Sequence, residues 1–243
     1  MNRTKLIRLL PCLALLASSF LPSLAVSDNL NVVPPLSLLL LGGMDYNEVT
    51  SATGRIWLDR NLGASRVAES STDSEAYGDL YQWGRLTDGH QNRLSSATAA
   101  EDLSNKDVPG HGDFIKTFIA PMDWRVPQND DLWNEVSGIN KNNPCPSGFR
   151  LPTKLELNAE RISWVVDNGS TNDADGAFGS ALKLVMAGGR SGGDSFDFVD
   201  TTGYYWSNTV NVTNASQLVF NSSFAGISSY ARAGGRSVRC IKD

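Results

Sequence analysis

The chain opens on an apolar run from Leu9 to Phe20, broken only by Pro11 and two serines and preceded by Arg3, Lys5 and Arg8. Ser23-Leu24-Ala25 closes it with a small-x-small ending, so residues 1–25 read as a signal peptide removed after Ala25. The run is too short for a bilayer-spanning helix and is followed by Pro22 and Ser23. Cys12 lies inside the run, whereas a lipoprotein cysteine ends one. A second apolar cluster, Pro34 to Gly43 with five leucines, is also too short to cross a membrane, and residues 26–44 read as a linker or an extra strand.

From residue 45 the pattern changes to short apolar segments punctuated by glycine. Tyr46 to Val49 and Arg55 to Leu58 read as strands of a hairpin turning through Thr50-Ser51-Ala52-Thr53-Gly54. Thr72 and Glu75 have capping-box spacing and predict a short helix with Tyr77, Leu80, Tyr81 and Gly84 on one face. Residues 85–120 show no sustained period and read as a long loop. The best helix runs from Thr153 to Asp167, with Thr153 and Glu156 as a capping box. Its residues Leu155, Ala159, Ile162 and Val166 repeat at 4-3-4 spacing, the pattern of a core-facing stripe. Strands are expected at Leu182 to Met186, Gly203 to Ser207, Gln217 to Phe220 and Ser237 to Ile241. Two helices early and antiparallel strands late predict an α+β domain over residues 45–243.

Composition narrows the class. Of 243 residues 41% are apolar and 19% charged, which is ordinary globular usage. Removing residues 1–25 leaves 18 basic against 26 acidic residues, a net charge of −8, which argues against a nucleic-acid partner. Nothing beyond the leader suggests a transmembrane segment. Cys145 and Cys240 remain as an even pair in an oxidising compartment, so a disulfide is expected between them.

The chemical candidates are thin. Gly189-Arg190-Ser191-Gly192-Gly193 fits the letters of a nucleophile elbow, but no helical period follows it, and both histidines, His90 and His111, lie upstream. Neither histidine has a second ligand at zinc spacing. Asp173-Ala174-Asp175-Gly176 has the look of a calcium loop, but Leu182 stands where the bidentate Glu belongs. Asp194, Asp197 and Asp200 are the carboxylates a glycosidase would draw on, set in a turn-rich segment that solvates them. No metal ligand set is read, no catalytic residue is assigned, and calcium is the one cofactor left open.

Several segments carry a family likeness. Thr53-Gly54-Arg55-Ile56-Trp57-Leu58-Asp59-Arg60-Asn61-Leu62-Gly63-Ala64, Gly78-Asp79-Leu80-Tyr81-Gln82-Trp83-Gly84-Arg85, Asp123-Trp124-Arg125, and Asn142 to Thr153 resemble the Fibrobacter succinogenes major paralogous domain family. Tyr204-Tyr205-Trp206-Ser207 and the ending Ser237 to Asp243 continue the resemblance, which spans roughly residues 46–243. It implies a C-type-lectin-like superfold, shared with formylglycine-generating enzymes and bacterial adhesins. Those oxidases use a late cysteine pair that this chain lacks. Tyr205-Trp206-Ser207-Asn208 carries only a fragment of the calcium-dependent lectin motif.

Relatives of that domain also resemble the variable proteins of diversity-generating retroelements, which diversify Asn codons before a Ser-Val-Arg-Cys ending. Here Phe224, Gly226, Ser228, Ser229, Tyr230, Gly235 and Arg236 can each be reached from an Asn codon by changing adenines alone. Tyr, Ser and Gly are also what recognition loops favour. Flat rings at Phe224 and Tyr230, fork-shaped donors at Arg232 and Arg236, and the C-terminal ligand face of variable proteins that the resemblance implies give an expected ligand-binding set of Trp206, Phe224, Gly226, Ser228, Ser229, Tyr230, Arg232 and Arg236. The sequence reads as a secreted, cell-surface or periplasmic binding domain for an extracellular glycan or protein. The rival expectations are an envelope enzyme, either a hydrolase or an oxidase related to the formylglycine-generating enzymes, and a structural surface protein.

Overall fold

The computed structural model describes residues 45–133, 142–167 and 169–243. The expected signal peptide at 1–25 and the linker or strand at 26–44 lie outside the described residues. Strands β1 (Glu48–Thr50) and β2 (Ile56–Leu58) form the predicted hairpin, with Val49 opposite Trp57. The helix expected after Thr72 is only a 3-10 turn, Ser74–Ala76, capped by Asp73 rather than Thr72. Gly78 then takes φ +64 and packs so close to the Leu62 carbonyl that no helix can continue through it. Strand β3 (Tyr81–Gln82) follows, and residues 85–120 are irregular apart from isolated bridges.

Strand β4 (Phe149–Arg150) leads into α1 (Lys154–Val166), whose capping box forms as the sequence predicts. Its burial reverses the expectation. Leu155 and Val166 are each 72% exposed and Ile162 44%, whereas Leu157, Glu160, Ser163 and Trp164 are buried. Trp164 and Leu157 turn that face to the core, Trp164 packing edge-on to Phe220. Glu160 hides that face from a hydropathy count, since it is buried beside the Trp164 indole N–H. A second α-helix, α2 (Ala174–Gly179), was not expected; Asp173 caps it, so the calcium-loop look of that segment belongs to a helix start.

The remaining strands are β5 (Gly189–Arg190), β6 (Phe196–Asp197), β7 (Thr202–Asn211), β8 (Asn214–Asn221), β9 (Ala225–Ala231), β10 (Gly235–Arg236) and β11 (Ile241–Lys242). They form three antiparallel sheets, ordered β1-β2-β11-β4, β3-β10-β5-β6 and β7-β8-β9. The fold is thus α+β. Leu182, Leu184, Val185 and Met186 are buried but not in a strand, because Lys183 is at φ +46 and the Tyr205 hydroxyl serves both backbone groups of Val185. Of the strand expected at Ser237 to Ile241, only Ile241 belongs to a strand. The expected disulfide joins Cys145 to Cys240, with Cα atoms 5.9 Å apart.

Glu156 ties α1 to β4. Burial pushes its carboxyl up, but the Arg150 fork and the Thr153 cap outweigh that and hold it down at about 2. A depressed carboxylate stabilises the fold above its ordinary value near 4.5 and loses that contribution as pH falls towards 2. Glu156→Ala is expected to cost about 1–2 kcal/mol at pH 7, discounted for partial exposure. In urea titrations the gap to wild type should shrink steadily below pH 4.5; a constant gap would contradict this account.

Candidate functional site

The C-terminal region is built on the β7-β8-β9 sheet, in which Tyr204, Val219 and Gly226 lie in one cross-strand row and Trp206, Gln217 and Ser228 in the next. Side chains alternate along each strand, so the expected ligand set splits between two faces. Leu218, Phe220, Tyr205 and Ala225 face α1 and join Trp164, with Ile227 packed against them. Ser229 shares that parity and points to the helix side. Gly226, Ser228 and Tyr230 point the other way, beside Val219 and Tyr204. Ser228 is exposed and accepts a hydrogen bond from the Gln217 side-chain amide at 3.1 Å. Phe224, 47% exposed, sits on the turn before β9.

Three expected ligand residues prove to be interior. Trp206 is fully buried, with its indole N–H on the Tyr81 carbonyl at 2.8 Å. Arg232 is buried over the Trp83 ring, 4.7 Å from its centroid, and is ion-paired to Asp130 at 2.6 Å. Arg236, only 4% exposed, is interleaved between Tyr204 and Tyr230, at 4.6 and 3.9 Å from their centroids. It donates to the Gln217 side-chain oxygen at 3.1 Å and to the Gly235 carbonyl at 3.0 Å. Burial pushes its guanidinium pKa down, with the two tyrosines acting in the opposite sense. The physical reason in each case is the same: a planar, polar-tipped group fills a gap between aromatic rings while its donors reach backbone oxygens. These residues shape the face from below.

What the sequence reading missed is Tyr204 and Val219, which are half-buried on that face, and Phe198, which meets Tyr204 edge-on at 6.5 Å and is 63% exposed. The signal was present in Tyr204-Tyr205-Trp206, because in a strand the middle ring must point away from its neighbours. The face is therefore Phe198, Tyr204, Val219, Gly226, Ser228 and Tyr230, a patch of rings and hydroxyls stiffened by one buried guanidinium.

The chemical candidates fall elsewhere. His90 is fully buried; its Nδ1 lies 2.6 Å from Asp88 and its Nε2 accepts the Gln82 backbone N–H at 3.0 Å. Burial pushes it down to about 4, against the pull of Asp88, so the ring is neutral at pH 7 with both nitrogens engaged. His111 sits in the irregular segment 3.5 Å from Asp113. Ser191 shares hydrogen bonds with Ser195, and Asp194 is ion-paired to Arg190. Asp200 takes the Tyr77 hydroxyl. Among the described residues no three His, Cys, Asp or Glu side chains converge as a metal-binding set. Among them, too, no helix is long and apolar enough to cross a membrane.

Compared with known proteins, the chain matches no family model, no curated protein and no solved structure.

Proposed function

We propose that this chain is an exported, C-type-lectin-like binding domain that performs no chemistry and recognises an extracellular glycan or protein. The proposal keeps the resemblance to the Fibrobacter succinogenes major paralogous domain family and places the domain outside the cytoplasm. One observation carries it: Gly226, Ser228 and Tyr230 on the sheet face of β9, beside Tyr204 and held by the buried Arg236. Rigid tyrosines with adaptable serine and glycine between them make good contact surface at low entropic cost. A retroelement-diversified protein would vary the exposed Phe224 and Ser228 and the half-buried Gly226 and Tyr230 while keeping Arg236, whose loss would undercut both rings.

The test is a screen of the mature protein on glycan and bacterial surface-protein arrays, run with and without chelator. A specific signal that survives chelation and is competed by soluble ligand is expected. Turnover of an arrayed substrate, in place of retention, would overturn the non-catalytic reading.

A further inference from the structure

A second recess lies away from the β9 face, where the first two family-like segments meet. It is a cleft of about 300 Å³ whose lining includes Gly63, Glu75, Gly78, Asp79, Arg93 and Leu94. Asp79 is the carboxylate on which the site would rest. The residue is mostly buried, yet among the described residues its carboxyl oxygens have neither a hydrogen bond nor an ion pair at contact distance. Its space is made by Gly63, at φ +79, where a Cβ would stand 2.4 Å from the Asp79 carboxyl carbon. A carboxylate that opens onto a cleft with no protein donor of its own is free to accept hydrogen bonds from a bound group.

The surroundings say what kind of donor. Arg93 is the only basic residue lining the cleft, and its guanidinium is occupied by the Gly78 and Ala187 carbonyls and the Tyr77 ring. Glu75 adds a second carboxylate, holding only the Ser65 hydroxyl. Two acids against one engaged base leave the cleft one negative charge in excess. Tyr46 and Tyr81 stand near enough to feel Asp79, and both are neutral at pH 7. Leu94, 93% exposed, offers an aliphatic wall at the rim.

We propose that this cleft binds a primary ammonium group, with Asp79 accepting two of its three N–H donors and Leu94 covering the carbon attached to it. A lysine side chain and an amino sugar both supply that chemistry. Burial, partly offset by Arg93, lifts the empty Asp79 carboxyl to about 6, so an arriving cation should pull it back down.

The experiment is an NMR titration of the Asp79 carboxyl carbon in the mature protein, alone and with three probes. The probes are Nα-acetyl-lysine amide, glucosamine and N-acetylglucosamine. The free carboxyl should titrate near 6, and at least one ammonium probe should lower its midpoint by half a pH unit or more. Whichever arm responds identifies the source, while N-acetylglucosamine should have no effect. Asp79→Asn should weaken the responding probe at least tenfold without altering the rest of the spectrum. If neither ammonium probe moves the midpoint, or if N-acetylglucosamine moves it equally, the proposal is wrong. Should the variant fold poorly, the wild-type titration alone decides. The site is separate from the β9 face, so either can fail without the other.

Discussion

Cys240→Ala is expected to lower folding stability by about 2–5 kcal/mol. The disulfide spans a sequence separation of 95, and closing a loop of that size restricts the unfolded chain by roughly 4–5 kcal/mol in the chain-entropy picture. It fastens the segment before β4 to the residue before β11, two strands that pair at one edge of the first sheet. Cys240 is also fully buried among Trp83, Trp133, Trp206, Leu58 and Val238, so truncation leaves a gap as well as a cut. Urea unfolding of wild type and variant measures the difference directly. A loss below 1 kcal/mol would mean that the remaining contacts already hold the two ends together.

Arg236→Ala is expected to cost about 2–4 kcal/mol, although a sequence reading treats the residue as an exposed ligand contact. Removing the guanidinium strips a cation from between two rings, leaves the Gln217 side-chain oxygen without its donor and opens a gap beneath the β9 face. Arg236→Lys should recover only part of the loss, because an ammonium neither stacks flat nor donates as a fork. Ser228→Ala, at an exposed position on the same face, should stay within about 0.5 kcal/mol of wild type. Thermal unfolding of the three variants separates the cases. An unchanged melting temperature for Arg236→Ala would return that side chain to the ligand.

The parts of this fold legible in the sequence are those with local causes. The β1–β2 hairpin follows from its turn, α1 from the Thr153–Glu156 box, and the disulfide from the two cysteines that lie beyond the apolar N-terminal run. What was hidden depends on partners far along the chain. The solvent-facing stripe Leu155, Ala159, Ile162 and Val166 has a better periodicity than the face that is buried, and only Trp164 meeting Phe220 decides between them. The expected helix after Thr72 yields to Gly78, whose close contact is with Leu62 rather than with a neighbour in sequence. Arginine outnumbers lysine 14 to 7, a bias with no evident meaning in a linear reading. In the fold Arg85, Arg190, Arg232, Arg236 and Arg239 are all interior, where a planar fork satisfies several oxygens at once. The same bias explains why Arg232 and Arg236 look like recognition residues in the sequence and are buried in the fold.

The location of the proposed binding face rests on Ser228, which is exposed at its centre. Binding of the array-identified ligand to Ser228→Arg, measured by calorimetry beside its melting curve, tests that location most directly. The account predicts a loss of at least tenfold in affinity with the melting temperature nearly unchanged, because a long side chain would stand across Tyr204 and Tyr230. Wild-type affinity in a folded Ser228→Arg protein would contradict it and move the ligand to another surface.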